Sequence, residues 1–456
     1  MFRPEIHPDA ALNLNRRALS ICKDTSVTPV SEIRSTKEAT DTSPRSPDFH
    51  VSAVITEADI IGEITTGLSD SEGNKVTHEW YDESQRYSIS EENYRSVITL
   101  ATQLLKSKEI RVSLSRKAIE EIICDWVRQY STGLITHNFV EFFTLEARKR
   151  VRLLQVFAPI RSLCIEKAFT LGLVRFEPIE GQRIDAWEKQ AISRAPDREC
   201  AIKEFYERRI RPIQGYTAAM LEAETEEQRA HDLILEEAQR SLSLLRVFTQ
   251  SSLLPNMTSP CVLWGTGHSD SSFILRFEGG EFSGLHEALL GPGDQPTVLS
   301  STAIDDAYRI GLERVHEILL SENRSDLEQV VLEALLLYSR CTIAKDPADK
   351  LVYILVGLES VLLKDPNESI AQNLSERIAF LIARDLPKRK EIVQTTRDAY
   401  RIRSDFIHHG ASPESLDTLR EFMEIAWYSA LALIGATRTL KSRGALIAEL
   451  DDRRLS

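Results

Sequence analysis

Between residues 327 and 433, apolar residues recur at three- and four-residue spacing in successive runs, and each run is bounded by a residue that starts or stops a helix. No other feature constrains the fold as strongly, because a 3.6-residue period buries one face of a helix. The first run, 327–344, carries Val330, Val331, Ala334, Leu335, Leu337 and Tyr338. Asp346 and Pro347 then supply an N-cap and a proline at the first helical position. They open a second run through Leu351, Ile354, Leu355, Leu358, Val361 and Leu362, which Asp365-Pro366 ends. A third run covers 370–383. Pro387 precedes a fourth that reaches His408 and is closed by Gly410, a residue suited to a left-handed C-terminal cap. Ser412-Pro413 begins a fifth, with Leu416, Leu419, Phe422, Ile425, Ala426, Leu431 and Leu433. Connections this short place successive helices antiparallel, so the sequence predicts a compact helical bundle.

The N-terminal two thirds is less regular. Residues 24–48 are rich in Ser, Thr and Pro and offer too little apolar surface to offset the entropy of ordering the chain, which reads as a flexible arm. The alternating segments 51–55 and 75–81 suggest a pair of strands. From 90 to 169 the period is helical, with Val97, Leu100, Leu104 and Leu105, then Ile119, Ile122, Ile123 and Trp126. The basic run Arg148-Lys149-Arg150-Val151-Arg152, beside Leu153, Leu154, Val156 and Phe157, reads as a further amphipathic helix. A charged stretch, 222–240, leads into Leu242, Leu244, Leu245 and Val247 as one more helix, stopped by Pro255. Cys261-Val262-Leu263-Trp264 and 272–277 look like two strands of a hairpin turning through 265–271, and 278–281 supplies a second turn. The expected organisation is an N-terminal arm (1–48), a mixed, mainly helical domain (49–254), a short β-hairpin connector (255–300) and the bundle (301–456). The fold class is mainly α, an antiparallel bundle preceded by a mostly helical domain with a few short strands.

Several function classes are disfavoured by composition. A net charge of −13 argues against a protein that coats nucleic acid over its whole surface. Positive charge is nevertheless concentrated locally. Arg384, Lys388, Arg389, Lys390, Arg397, Arg401 and Arg403 stand against only Asp385, Glu391 and Asp398 in the same stretch. No apolar run approaches the roughly 18–20 residues of a membrane span. The first eleven residues lack the apolar region of a signal peptide. Six scattered cysteines without a Cys-x-x-Cys pair form neither a zinc site nor a disulfide framework, which suits a reducing, cytoplasmic setting. The glycine-containing loop 265–271 lacks the Gly-Lys-Ser/Thr ending of a phosphate-binding loop, so no metal or cofactor is expected.

Chemistry-bearing residues gather in Tyr400-Arg401-Ile402-Arg403-Ser404-Asp405-Phe406-Ile407-His408-His409-Gly410. Taken with Gly357-Leu358-Glu359-Ser360-Val361-Leu362-Leu363 and Leu374-Ser375-Glu376-Arg377-Ile378-Ala379 in that order, this stretch resembles an Apea-like HEPN domain, a branch of the HEPN helical-bundle superfamily. The likeness covers the C-terminal third. It implies an all-helical domain that forms a homodimer through the bundle, bringing two Arg/His pairs to one interface. In catalytic members the activity is metal-independent cleavage of RNA, often in defence or toxin systems. By position, Arg403 matches the motif arginine and His408 the motif histidine, with Ser404, Asp405, Glu359, Arg377, Arg401 and His409 in supporting places. Catalytic members commonly carry Asn, Asp or His directly after the arginine, where this chain has Ser404.

The implied chemistry is self-consistent. The RNA 2′-hydroxyl is the nucleophile, a guanidinium can hold the phosphate and its developing charge, and an imidazole can exchange protons near neutral pH. Other members of the superfamily serve as non-catalytic modules for dimerisation or for binding nucleic acid or nucleotide. The residues themselves also have plain structural readings. Arg403 can bridge to Glu359, Arg377 can pair with an acid such as Glu359, Arg401 can pair with Asp405, and His408 can cap the end of its helix. Five positions on a helix turn through about 140°, so Arg403 and His408 share a face only if the last turn is distorted or a second chain takes part.

Overall fold

The computed structural model describes residues 4, 6–29, 76–81, 85–264, 271–278, 281–289, 297–365, 368–409 and 416–455. Residues 30–48 of the expected arm, the segment 51–55, the loop 265–270, the turn residues Gly279 and Gly280, Pro366, Gly410 and Ser412-Pro413 lie outside them. The chain divides into two compact units, Met1–Leu154 with Glu222–Asp232, and Gln155–Leu221 with Leu233–Ser456. The fold is mainly α with a few strands, as the periodicity requires. Among the described residues no helix is long and apolar enough to cross a membrane.

The smaller unit is built on helices α1 (Pro8–Lys23), α2 (Glu91–Leu104), α3 (Lys108–Ser113), α4 (Arg116–Ser131) and α5 (Phe139–Arg150). Strands β1 (Ser26–Pro29), β2 (Val76–Tyr81) and β3 (Gln85–Ser90) form an antiparallel sheet in the order β1-β3-β2. Ser90, Ser115 and Asn138 each accept a hydrogen bond from a first-turn N–H, which sets where α2, α4 and α5 begin. Trp126 is fully buried against the edge of Phe139, with ring centres 5.5 Å apart.

One expectation fails in this unit. The arm assigned to 1–48 is structured from Pro8 to Pro29. Leu14, Ala18 and Ile21 repeat at four and three residues and bury one stripe of α1, and Pro8 occupies its first position. Strand β2 pairs with β3, and the segment 51–55 expected beside it lies outside the described residues.

Strand β4 (Arg152–Arg161), whose residues from Gln155 onward belong to the larger unit, stands where the sequence suggests helix. Pro159 explains the difference, since it can neither donate a helical hydrogen bond nor fit beneath the preceding turn. Strands β5 (Leu163–Ile165), β6 (Phe169–Leu171) and β7 (Val174–Pro178), helices α6 (Gly181–Arg194) and α7 (Glu199–Phe205), β8 (Thr217–Thr225), α8 (Glu227–Val247) and β9 (Val262–Leu263) follow, with the end of β8 and the start of α8 (Glu222–Asp232) counted in the smaller unit. A five-stranded sheet runs β6-β7-β8-β4-β9. Strand β9 pairs with β4 instead of forming a hairpin with the next strand. The hairpin is made by β10 (Ser271–Glu278) and β11 (Glu281–Leu289). Strand β12 (Thr297–Leu299) pairs in parallel with β5.

Helices α9 (Ser301–Ala307) and α10 (Glu313–Leu320) lead into the bundle of α11 (Asp326–Ser339), α12 (Pro347–Leu362), α13 (Ile370–Ile382), α14 (Leu386–His409) and α15 (Asp417–Ala436). A further helix, α16 (Arg443–Leu455), buries Leu446, Ile447 and Leu450. Asp346 caps α12 as expected, accepting from the Ala348 N–H at 2.8 Å. Residues 155–221 and 233–300, which the sequence assigns to a separate domain and connector, belong to the same unit as the bundle. Hydrogen bonds hold them there. Tyr338 donates to the Ser252 carbonyl at 3.1 Å, and the Trp427 indole donates to the Val247 carbonyl at 2.9 Å. The fully buried Lys350 ammonium donates to the Leu254 and Met257 carbonyls.

Helix α12 approaches α11 very closely at Gly357, where an added Cβ would stand 3.0 Å from the Ala334 carbonyl oxygen. A backbone atom cannot swing aside. Gly357→Leu is therefore expected to destabilise the protein by about 1–3 kcal/mol through overpacking, read as a lower urea midpoint at unchanged slope. An unchanged midpoint would mean that the two helices are not in this contact.

Candidate functional site

Helix α14 positions most of the candidate residues. Ile392, Thr395, Thr396 and Ala399 bury its inner face, and its outer and lateral positions carry the charge. Tyr400 and Arg403, three apart, emerge on the same side. Both meet Glu359, which lies two residues after the close crossing at Gly357 on α12.

Arg403 Nη1 donates to Glu359 Oε1 and to the Tyr400 hydroxyl, each at 3.0 Å, and Tyr400 itself donates to Glu359. The guanidinium carbon also lies 5.3 Å from the centre of the Tyr400 ring. Burial and the bond to Glu359 raise the Tyr400 pKa, so the phenol stays a proton donor. The Arg403 and Glu359 side chains are 22% and 18% exposed. Nε of Arg403 is buried without a partner, and Nη2 has no acceptor among the described residues. Half of the fork is fixed and the other half is unused.

His408 and His409 are exposed on the final turn, with ring centres 6.4 Å apart, and neither makes a hydrogen bond among the described residues. Helix α14 continues without a break through His409. Within one chain Arg403 and His408 therefore remain about 140° apart around the helix axis. Ser404 and Asp405 are exposed beside them.

The other supporting residues separate from this cluster. Arg401 pairs with Asp398, one turn back, and not with Asp405. Arg377 does not reach Glu359. It is 4% exposed and donates to Glu368 at 2.9 Å, to Asp451 at 3.0 Å and to the Leu362 carbonyl at 2.7 Å. The last of these satisfies a carbonyl at the C-terminus of α12 that no helical N–H can reach. Arg377 is thus a clamp joining the end of α12 to α13 and α16.

Sequence reasoning passed over Tyr400 and Asp451. The three-residue step from Tyr400 to Arg403 was a usable signal for the first; Asp451 lies 74 positions from Arg377 and gave none. Among the described residues no group of three or more His, Cys, Asp or Glu is placed to hold a metal ion. Comparisons of the chain with protein-family models, curated proteins and solved structures found no match.

The Arg377 clamp predicts an acid-sensitive fold. Burial alone would raise the Asp451 carboxyl, but hydrogen bonds from Arg377 and Lys364 outweigh it and hold the group below its ordinary 3.8. A depressed folded-state pKa contributes stability that is complete above the unfolded value and is lost as pH falls through the folded one. Asp451→Asn should lower stability at neutral pH by about 1–3 kcal/mol. The variant should also lose less than the wild type does as pH falls below about 4. Parallel pH–stability curves for the two proteins would contradict this role.

Proposed function

We propose that the C-terminal bundle is a HEPN-type, metal-independent endoribonuclease whose site is completed by a second copy of the chain. In this reading Arg403 holds the scissile phosphate and stabilises its transition-state charge, while His408 moves the proton. The 2′-hydroxyl attacks the adjacent phosphorus and the 5′-oxygen leaves, giving a 2′,3′-cyclic phosphate and a 5′-hydroxyl end. Ser404, Asp405 and His409 line the approach, and Glu359 with Tyr400 orients the arginine. The observation that carries the proposal is the half-engaged guanidinium of Arg403. Glu359 and Tyr400 fix it through Nη1, while Nη2, which has no acceptor among the described residues, stays unfilled and can donate to a phosphate oxygen. The 140° offset from His408 makes the partner's histidine the natural complement, in a twofold arrangement that would create two equivalent sites.

The test is cleavage of mixed RNAs by purified protein in the presence of a chelator. Arg403→Ala and His408→Ala should each slow cleavage by roughly 10²- to 10⁴-fold. An equal mixture of the two variants should recover about a quarter of wild-type activity, because half the dimers are mixed and one of their two sites is intact. No recovery would place each site within a single chain, and no cleavage by the wild type would end the enzyme reading.

One observation favours a second reading. Glu359 already neutralises Arg403 within the chain, as expected of a non-catalytic module that dimerises or binds nucleic acid or nucleotide. On that reading RNA stays intact with the wild type, and Glu359→Gln, which frees the arginine's charge, tightens RNA binding at low salt.

A further inference from the structure

A second basic feature of the bundle takes no part in the Arg403 cluster. An open cleft of ≈ 790 Å³ lies where the end of α13, the start of α14 and one face of α15 come together, a size within the roughly 300–1,000 Å³ of small-molecule sites. Arg384, Lys388, Arg389 and Arg453 line it together with the rings of Phe380 and Tyr428, and no carboxylate is among its lining residues. Two of the cations are already answered, Lys388 by Glu391 at 2.7 Å and Arg453 by Glu449. Glu424 and Asp385 also lie near Lys388. Arg384 and Arg389 have no carboxylate partner among the described residues.

Arg389 is held in place by its surroundings. Its guanidinium carbon lies 4.2 Å from the centre of the Phe380 ring, and Nε donates to the Ala383 carbonyl at 3.1 Å, leaving its terminal nitrogens for a ligand. Tyr428 stands on a helix where Phe422, Met423 and Ala426 are fully buried, yet it is 51% exposed. The Tyr428 ring meets Trp427 with centres 5.3 Å apart and is still half exposed; an exposed aromatic ring beside two guanidinium groups without carboxylate partners suits a ligand that is planar at one end and multiply anionic at the other. An acidic peptide would use the cations but not the ring. Arg389 and Arg403 are fourteen residues apart on an unbroken helix, about 21 Å, so this cleft and the Arg403 cluster are different places.

We propose that this cleft binds a nucleotide unit, with the base stacked on Tyr428 and the phosphate held by Arg384 and Arg389. The unit can come from a free nucleotide or from single-stranded nucleic acid, and two probes separate these sources. One is adenosine monophosphate, followed by calorimetry. The other is a labelled single-stranded oligodeoxynucleotide, followed by fluorescence anisotropy. Neither can be cut by attack of an internal 2′-hydroxyl, so the result is independent of whether the bundle cleaves RNA.

At least one probe should bind the full-length chain, and the double variant Arg384→Ala/Tyr428→Ala should weaken that binding at least about 10-fold. Both side chains are exposed, so the thermal midpoint should be unchanged. Tyr428→Phe, which keeps the ring, and Lys117→Ala, which removes an exposed cation elsewhere, should bind like the wild type. Binding of the monophosphate identifies a free-nucleotide site, and binding of the oligonucleotide alone identifies a strand site. The assignment is overturned if neither probe binds or if the double variant binds normally. It is also overturned if inorganic phosphate competes as well as the monophosphate does.

Discussion

Helix α12 is apolar around most of its circumference, and a helix of that kind has to be surrounded by others, with every polar group it carries satisfied inside the protein. Much of the larger unit follows from that constraint. Gly357 lets α11 approach to backbone contact. Lys350, with no exposed surface, reaches the Leu254 and Met257 carbonyls and so fixes the chain that precedes the bundle. Burial pushes the Lys350 pKa down, and the carbonyl acceptors compensate a cation that has no carboxylate beside it. At the other end of the helix, the Leu362 carbonyl is taken up by Arg377. Glu359, near that end, is the one acid of α12 that meets the candidate cluster.

Arg377 and Arg403 show how burial separates two arginines that look alike in sequence. Arg377 is enclosed, with donors committed to two carboxylates and a carbonyl, and its removal would leave buried charges without a partner. Arg403 commits one nitrogen to an acid and a phenol, keeps Nε buried, and leaves Nη2 without an acceptor at a partly open surface. The first arrangement is a structural clamp. The second is a held cation that can still meet an oxyanion, which is why only Arg403 remains a candidate for chemistry.

The helical part of the fold was largely legible. Asp346-Pro347 fixed one helix start, and the periodic runs of 327–433 all became helices, because burial of a 3.6-residue stripe and local capping agree there. Other elements were obscured where local pattern and long-range pairing disagree. Leu153, Val156 and Phe157 could sit on a helix, but Pro159 and pairing in the five-stranded sheet make them a strand. Cys261–Trp264 looked like one arm of a hairpin, yet Val262 and Leu263 pair with Arg161 and Ile160, about a hundred residues earlier. Strand pairing over such distances leaves almost no trace in a short window of sequence.

By itself the sequence determined that α14 would be a helix carrying Tyr400, Arg403 and His408, and it determined the 140° offset, since helical geometry is set by residue spacing. It also determined that Tyr400 and Arg403 would project together. Only the tertiary structure decided that Glu359 and not Arg377's acids would face Arg403, and that Arg377 would be sealed inside. It likewise brought Arg384, Arg389 and Tyr428 around one cleft, from the connection between α13 and α14, from α14 and from α15. The physical reason is the same in each case. Side-chain spacing along a helix is local, whereas the partner a charge meets depends on which helices the burial of α12 forces together.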